Sequence, residues 1–299
     1  MPEAPTSSTS VAAYIFLSPY LILLSVFTIF AVLYGLFLSF FTVDIGISAP
    51  VFVGFRNYVT LWNQLFYSGG VGDFWIAMLN GLKFAVVVVS GQTALALLLA
   101  LLLHRITFLK GVFRTIFYLP AVTSSIAISL IFIWLYTPQG FINYWLSLLH
   151  ISGPRWLEDP ATALFAIMLL NIWTTAPTFM LFFLGALEGI PQQFYEAAVV
   201  DGGNRSRIFW HITLPLLRPI IFLVVALGTI SSFQVFDQVK IMTEGGPLQS
   251  TLTPVYEMYT TAFGDDKFGL AAAMSVLLFL IIFAITSLQR RFIDTDLQY

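Results

Sequence analysis

Cysteine is absent from the 299 residues, which excludes disulfides and thiolate chemistry. Charge is scarce: Asp, Glu, Lys and Arg make up 9% of the chain, against about 25% in soluble domains. The formal net charge of −2 offers no basic surface for nucleic acid. There is no G-x-x-x-x-G-K-[ST] run, so no P-loop for ATP is expected. His104, His150 and His211 stand far apart, whereas a metal site needs clustered ligands; they read as interfacial residues. Asp265-Asp266 reads as part of a solvated loop. No serine has a histidine and an acid in a recognisable arrangement. No catalytic residue, metal site or cofactor is expected, and the chain does not read as an enzyme.

What the chain has in abundance is apolar surface. Hydrophobic residues make up 59% and mean hydropathy is +0.90, where a soluble domain carries about 45–50% apolar residues. An all-α polytopic membrane protein follows, because in lipid each backbone N–H and C=O must be paired within its own span. Val11–Val43 is an uncharged run without a small-x-small cleavage site, so it reads as a span and not as a cleaved signal. Further spans are expected at about Ala77–Leu103, Thr115–Tyr136, Ala161–Leu187, Pro219–Phe236 and Phe268–Leu288. Pro120 and Pro177 fall within these runs, where proline kinks a helix. Residues 1–10 read as a polar tail, and 11–299 as a single transmembrane domain.

Basic residues set the expected orientation. With the N-terminus inside, Arg105, Lys110, Arg114, Arg205, Arg207, Arg218, Arg290 and Arg291 are inside and Arg56, Arg155, Lys240 and Lys267 outside. The positive-inside rule therefore places both termini in the cytoplasm of a plasma (inner) membrane protein.

The polar stretch at about 190–218 interrupts the apolar pattern. Pro191 suits the first turn of a helix over Gln192–Val200, with Phe194, Ala197 and Ala198 on one stripe. Gly202-Gly203 supply a left-handed terminator, and Asn204 a cap for a second helix, Arg205–His211. The result is a helix–turn–helix elbow beside the membrane.

Polar groups within spans are costly in lipid unless they face a partner or a cavity. Ser124 and Ser125 lie in the third span, Asn171 and Thr174 in the fourth, and Ser231, Ser232, Gln234 and Asp237 at the outer end of the fifth. Hydroxyls and amides near aromatics such as Trp173 and Phe233 suit a neutral, hydroxyl-rich ligand. The same groups also serve as ties between helices. Lys83 and Asp237 read equally as charges snorkelling to the outer surface.

The elbow carries a resemblance. Glu196-Ala197-Ala198, Asp201-Gly202 and Ile212-x-Leu214-Pro215 resemble the EAA loop of binding-protein-dependent ABC importer permeases, with the spacing EAA-x3-G-x9-I-x-LP. Phe52–Tyr58, Phe113–Pro120, Thr243–Pro247 and Phe268–Ala273 resemble the carbohydrate, maltose-transporter-like branch. The resemblance spans nearly the whole chain. It implies a type I importer permease fold of six transmembrane helices, partnered by ABC ATPase subunits, a second permease, commonly as a heterodimer, and an extracytoplasmic solute-binding protein.

It further implies that Glu196, Ala197, Ala198, Asp201 and Gly202 couple the chain to the ATPase, with Gly203 standing where alanine is common. Ser125, Asn171, Ser232 and Gln234 match the region lining the sugar site. The implied function is import of a sugar, a di- or oligosaccharide or related polyol, by alternating access. Glycerol phosphate importers share the branch, so a phosphorylated polyol stays open. The competing expectation is an ATPase-independent secondary transporter or channel, which needs an ion site or broken helices.

Overall fold

The computed structural model describes residues 7–43, 50–66, 72–106 and 108–292, with 7–14, 66 and 292 as backbone alone. Residues 1–6 of the expected polar tail and most of the C-terminal tail lie outside the described residues. In chain order the elements are α1 (Ser7–Leu23), a π turn (Leu24–Ile29), α2 (Phe30–Leu38), β1 (Phe41–Thr42), β2 (Val51–Phe52), α3 (Arg56–Phe66), α4 (Asp73–Arg105), α5 (Lys110–Val122), α6 (Ser125–Leu135), α7 (Phe141–Leu148), α8 (Ala163–Gly189), α9 (Gln192–Val200), α10 (Arg205–Ile208), a second π turn (Phe209–Thr213), α11 (Leu214–Leu216), α12 (Arg218–Phe233), α13 (Asp237–Met242), α14 (Pro254–Tyr259), a third π turn (Thr260–Gly264) and α15 (Phe268–Phe292). They group into two compact units: 1–64 with 258–277, and 65–257 with 278–299.

In the first unit, Ile15–Leu38 is long and apolar enough to cross a membrane, and none of its most apolar window is buried within the chain. Lipid is the natural cover for such a helix. The helix begins at Ser7, inside the stretch expected to be a tail, because extending a formed helix by a turn is far easier than nucleating one.

The chain then closes into a small antiparallel hairpin, Phe41 opposite Phe52 and Thr42 opposite Val51. Two of the motif stretches converge on it. Asn57 donates from Nδ2 to the carbonyls of Ser39 at 2.8 Å and Phe41 at 3.0 Å, and Tyr58 donates to the Ser39 hydroxyl at 2.7 Å. The Phe268 N–H reaches the Val43 carbonyl at 3.1 Å. Gly269 lies so close to the Phe41 carbonyl that a Cβ there cannot be accommodated. Thus Asn57 and Tyr58 of the Phe52–Tyr58 stretch, and Gly269 of the Phe268–Ala273 stretch, satisfy or crowd the backbone where the first span ends.

The second unit is built on α4 against α8. Phe84, Val88, Ile167 and Leu170 fill one end of that seam, and Ala100, Leu103, Met180 and Phe183 the other. α12 joins through a close approach: Gly228 rests against the amide of Gln92, leaving no room for a Cβ. Gln92 is fully buried and accepts from the Thr175 hydroxyl at 2.7 Å. Small residues and polar ties of this kind replace the hydrophobic drive that is missing between helices in lipid. Asn80 of α4 holds the loop after the Thr243–Pro247 stretch, donating to the carbonyls of Gln249 at 2.9 Å and Leu252 at 3.1 Å.

Among the described residues, Ile15–Leu38, Asp73–Arg105, Ala163–Gly189, Arg218–Met242 and Phe268–Arg291 are span-like, and Lys110–Val122 with Ser125–Leu135 forms a pair bent by 90°. The third expected span is therefore not one helix. Pro120 cannot donate to Ile116, and the chain turns extended at Thr123 and Ser124, with ψ of 141° and 130°. The Thr123 hydroxyl takes up the freed Leu119 carbonyl at 2.9 Å. The fifth span, Arg218–Met242, runs past the expected Pro219–Phe236 and is also interrupted: α12 stops at Phe233 and α13 restarts at Asp237.

Candidate functional site

These two breaks meet α8 at one cavity. Ser125 opens α6 just past the first break; Gln234 and Asp237 flank the second. A cavity of about 220 Å³ is lined by Ser125, Asn171, Gln234, Asp237 and Gln238 with Val235 and Phe236. A second cavity of about 340 Å³ shares Ser125 and Gln238 and adds hydroxyls from Thr123, Thr174, Thr175, Thr178 and Ser231. Its volume falls in the range of about 300–1,000 Å³ common to small-molecule sites. Asn171, Thr174, Thr175 and Thr178 follow i, i+3, i+4, i+7, one face of α8.

The lining is tied together at its centre. Asn171 donates from Nδ2 to Oε1 of Gln238 at 3.0 Å, joining α8 to α13. Gln238 is 6% exposed. Val235, in the break itself, has its carbonyl capped by the Thr253 hydroxyl at 3.1 Å. The broken backbone is thus satisfied by side chains while its own polar groups line the cavity, the condition under which membrane proteins tolerate irregular backbone.

Ser125, Asn171 and Gln234 meet at one cavity; Ser232 does not. It is 1% exposed, and its hydroxyl has no partner among the described residues. Ser231 and Gln234 are three residues apart and share a face, whereas Ser232 is turned about 100° away by the helical repeat. Trp173 and Phe233 are also off the lining: Trp173 packs against Phe132 with ring centres 5.5 Å apart and planes tilted by 43°, and Phe233 is buried. The aromatics present are Phe179 and Phe236. The sequence reading missed Gln238, Thr175 and Thr178; the helical spacing from Asn171 marks the two threonines. Lys83 is exposed on α4, away from both cavities.

The elbow has the local structure its residues dictate. α9 ends in a Schellman turn, with Gly203 N–H on the Ala198 carbonyl at 2.8 Å and Gly202 N–H on that of Val199 at 3.0 Å. Gly202 has φ +76°, and Asp201 is the last residue before it. A Cβ on Gly203 lands 2.7 Å from the Ala198 carbonyl oxygen. An alanine there would crowd this turn, whereas Gly203, standing where the family often has alanine, leaves it formed. Asn204 caps α10, its Oδ1 accepting from Arg207 N–H at 2.8 Å. Pro191 precedes α9 in extended conformation at the cap position, one residue earlier than expected.

The stripe of Phe194, Ala197 and Ala198 is not turned inward: only Ala198 is half-buried, and Phe194, Ala197, Val199 and Val200 are exposed. Glu196 and Asp201 are exposed too. Just before the elbow, Glu188 pairs with Lys110 at 2.5 Å.

Apolar spans, a polar cavity at their breaks and a polar helical elbow suit a transport permease, and comparison with known proteins shows that family. The family "Binding-protein-dependent transport system inner membrane component" matches residues 92–295, and the chain belongs to it as a multi-pass inner-membrane permease component of an ABC importer. It is 34% identical to the lactose transport system permease protein LacF of Rhizobium radiobacter, over 96% of this chain and 97% of that one. It is 32% identical to the trehalose/maltose transport system permease protein MalF of Thermococcus litoralis, over 91% and 90%. The fold matches that of a bacterial ABC transporter importing the acidic polysaccharide alginate, with TM-score 0.79 and 21% identity over 97% of this chain and 98% of that one. The type I permease fold expected from the sequence is the fold found, and membership of the family decides against the ATPase-independent alternative.

Proposed function

We propose that the chain is the membrane-spanning subunit of an ATP-driven importer for a sugar, a di- or oligosaccharide or related polyol, working by alternating access. The observation that carries this reading is the cavity shared by Ser125, Asn171 and Gln234 at two helix breaks. Its amides and hydroxyls provide the donors and acceptors that sugar hydroxyls require. Relatives named for lactose and for trehalose or maltose support the sugar class. Ser232, buried off the cavity, serves as packing between helices in this state.

The elbow docks on a separate ATPase subunit. Glu196, Ala197 and Ala198 form a short helix with an uncovered apolar flank at Val199 and Val200, and Asp201-Gly202 make its turn. Small alanines allow close seating in a groove, and the Glu196 carboxylate pairs with a basic residue of that partner. ATP hydrolysis takes place on those subunits. A second permease, an extracytoplasmic binding protein and the lipid bilayer complete the assembly, and the family's description supports the binding protein. Residues 11–299 act as a single transmembrane domain with both termini in the cytoplasm, supported by the distribution of Lys and Arg. The ATPase must bind the two permease states with different affinity, because otherwise nothing shifts between them.

The test is ATP-dependent uptake of labelled lactose, maltose and trehalose by the whole complex with its binding protein in liposomes. Uptake of at least one supports the reading. Brisk ATP hydrolysis with no uptake of any neutral sugar overturns it.

A further inference from the structure

The two adjoining cavities are neutral except at one point. Threonine, serine, asparagine and glutamine supply their polar surface, and Asp237 supplies the single formal charge among the described lining residues. Asp237 is exposed at the start of α13, within the lining and beside Gln234 and Gln238. None of the ion pairs found among the described residues involves it. The nearest cation in sequence, Lys240, holds its ammonium 5.7 Å from the centre of the Tyr256 ring and does not contribute to either lining.

A carboxylate that accepts hydrogen bonds at both oxygens suits two neighbouring sugar hydroxyls. It repels a second anion, the more strongly the less water remains between them. From this we infer that Asp237 is a specificity residue. It selects neutral and amino sugars and excludes uronates, aldonates and phosphorylated polyols. This rests on the sugar-permease reading and narrows its substrate class. It also removes the phosphorylated polyol left open by the sequence. Asp237, which reads from sequence as a charge snorkelling outward, is then a ligand-facing group.

The measurement is direct binding to the purified permease–ATPase complex without the binding protein, so that the latter's own selectivity is absent. Equilibrium dialysis compares lactose, its anionic oxidation product lactobionate, and a cationic glucosamine disaccharide. The expected result is binding of lactose and the amino sugar at least tenfold tighter than lactobionate. Asp237→Asn is expected to bring lactobionate within about threefold of lactose, and Asp237→Glu to restore the discrimination. Retention of the ATPase subunit and an unchanged melting temperature show that each variant is folded and assembled; a shift confined to misassembled protein counts against the proposal. Equal binding of lactose and lactobionate by the wild type overturns charge selection and leaves the sugar reading standing. So does a preference that Asp237→Asn leaves intact. Binding of no member of the set, by a complex that also takes up none of them with its binding protein, overturns the sugar reading and this proposal with it.

Discussion

Asn171 and Gln238, 67 positions apart, share a hydrogen bond of 3.0 Å that ties α8 to the restart of the broken fifth span. Gln238 is buried, so losing its donor leaves an unsatisfied amide oxygen, at a cost of about 1–3 kcal/mol. Asn171→Leu is therefore expected to lower sugar uptake at least tenfold while the ATPase subunit stays bound. Uptake in liposomes and subunit stoichiometry after purification check this together. Full uptake by the variant would make the pair a structural tie only.

The hairpin clamp offers a test of stability apart from transport. Asn57 makes two hydrogen bonds to the backbone at Ser39 and Phe41. Asn57→Ala removes both and is expected to destabilise the folded chain by about 1–3 kcal/mol. A fluorescence melt in detergent should show a lower transition temperature. An unchanged melt means that water replaces the bonds without loss.

The Lys110–Glu188 pair should matter little. The side chains are 33% and 50% exposed, and ion pairs with that access to water contribute about 0–1 kcal/mol. Lys110→Ala is expected to leave the melting temperature and uptake close to those of the wild type. A loss of uptake above about threefold in this variant would show a role in coupling that exposure argues against.

The proposed orientation rests on eight basic residues on one side against four on the other. Reporter fusions after Arg291 are expected to read cytoplasmic, and fusions between Asp44 and Asp73 external. A cytoplasmic reading from the latter loop would contradict the topology.

How far such features are readable in advance depends on whether they are local. Gly202, Asn204 and the elbow's first helix come from neighbours in the chain and stand where turn and capping chemistry puts them, whereas the second, expected over Arg205–His211, is α-helical only to Ile208 before the π turn Phe209–Thr213. Long apolar runs likewise announce their spans. The breaks do not, since Pro120 can kink a helix or end it, and the extended backbone at Thr123 and Ser124 that makes the bend is not written in the residue types. Gln238 was invisible for the same reason: a span continuing through Gln234 does not reveal where the restarted helix points it. Ser232 and Gln234 are alike in the sequence, and only the helical face separates them. Gly203 shows a further limit, because its crowding by the Ala198 carbonyl depends on the three-dimensional turn.

That crowding has its own consequence. Gly203→Ala forces the turn to open and is expected to weaken ATPase retention severalfold, less than Gly202→Val does. The latter places a β-branched residue at φ +76°, a conformation costing an ordinary residue about 1–2 kcal/mol and a branched one more. Pull-down of the ATPase subunit on each tagged variant measures the order. Equal retention in all three proteins would separate the turn from docking.

Whether the elbow transmits ATPase closure to a sugar cavity is read most directly from sugar-stimulated ATP hydrolysis in the purified complex carrying Glu196→Lys or Gly202→Val. Both variants are expected to insert and bind sugar as the wild type does, and yet to lose stimulation or shed the ATPase subunit. Normal stimulation and normal retention in both would contradict that role and reduce the elbow to a linker.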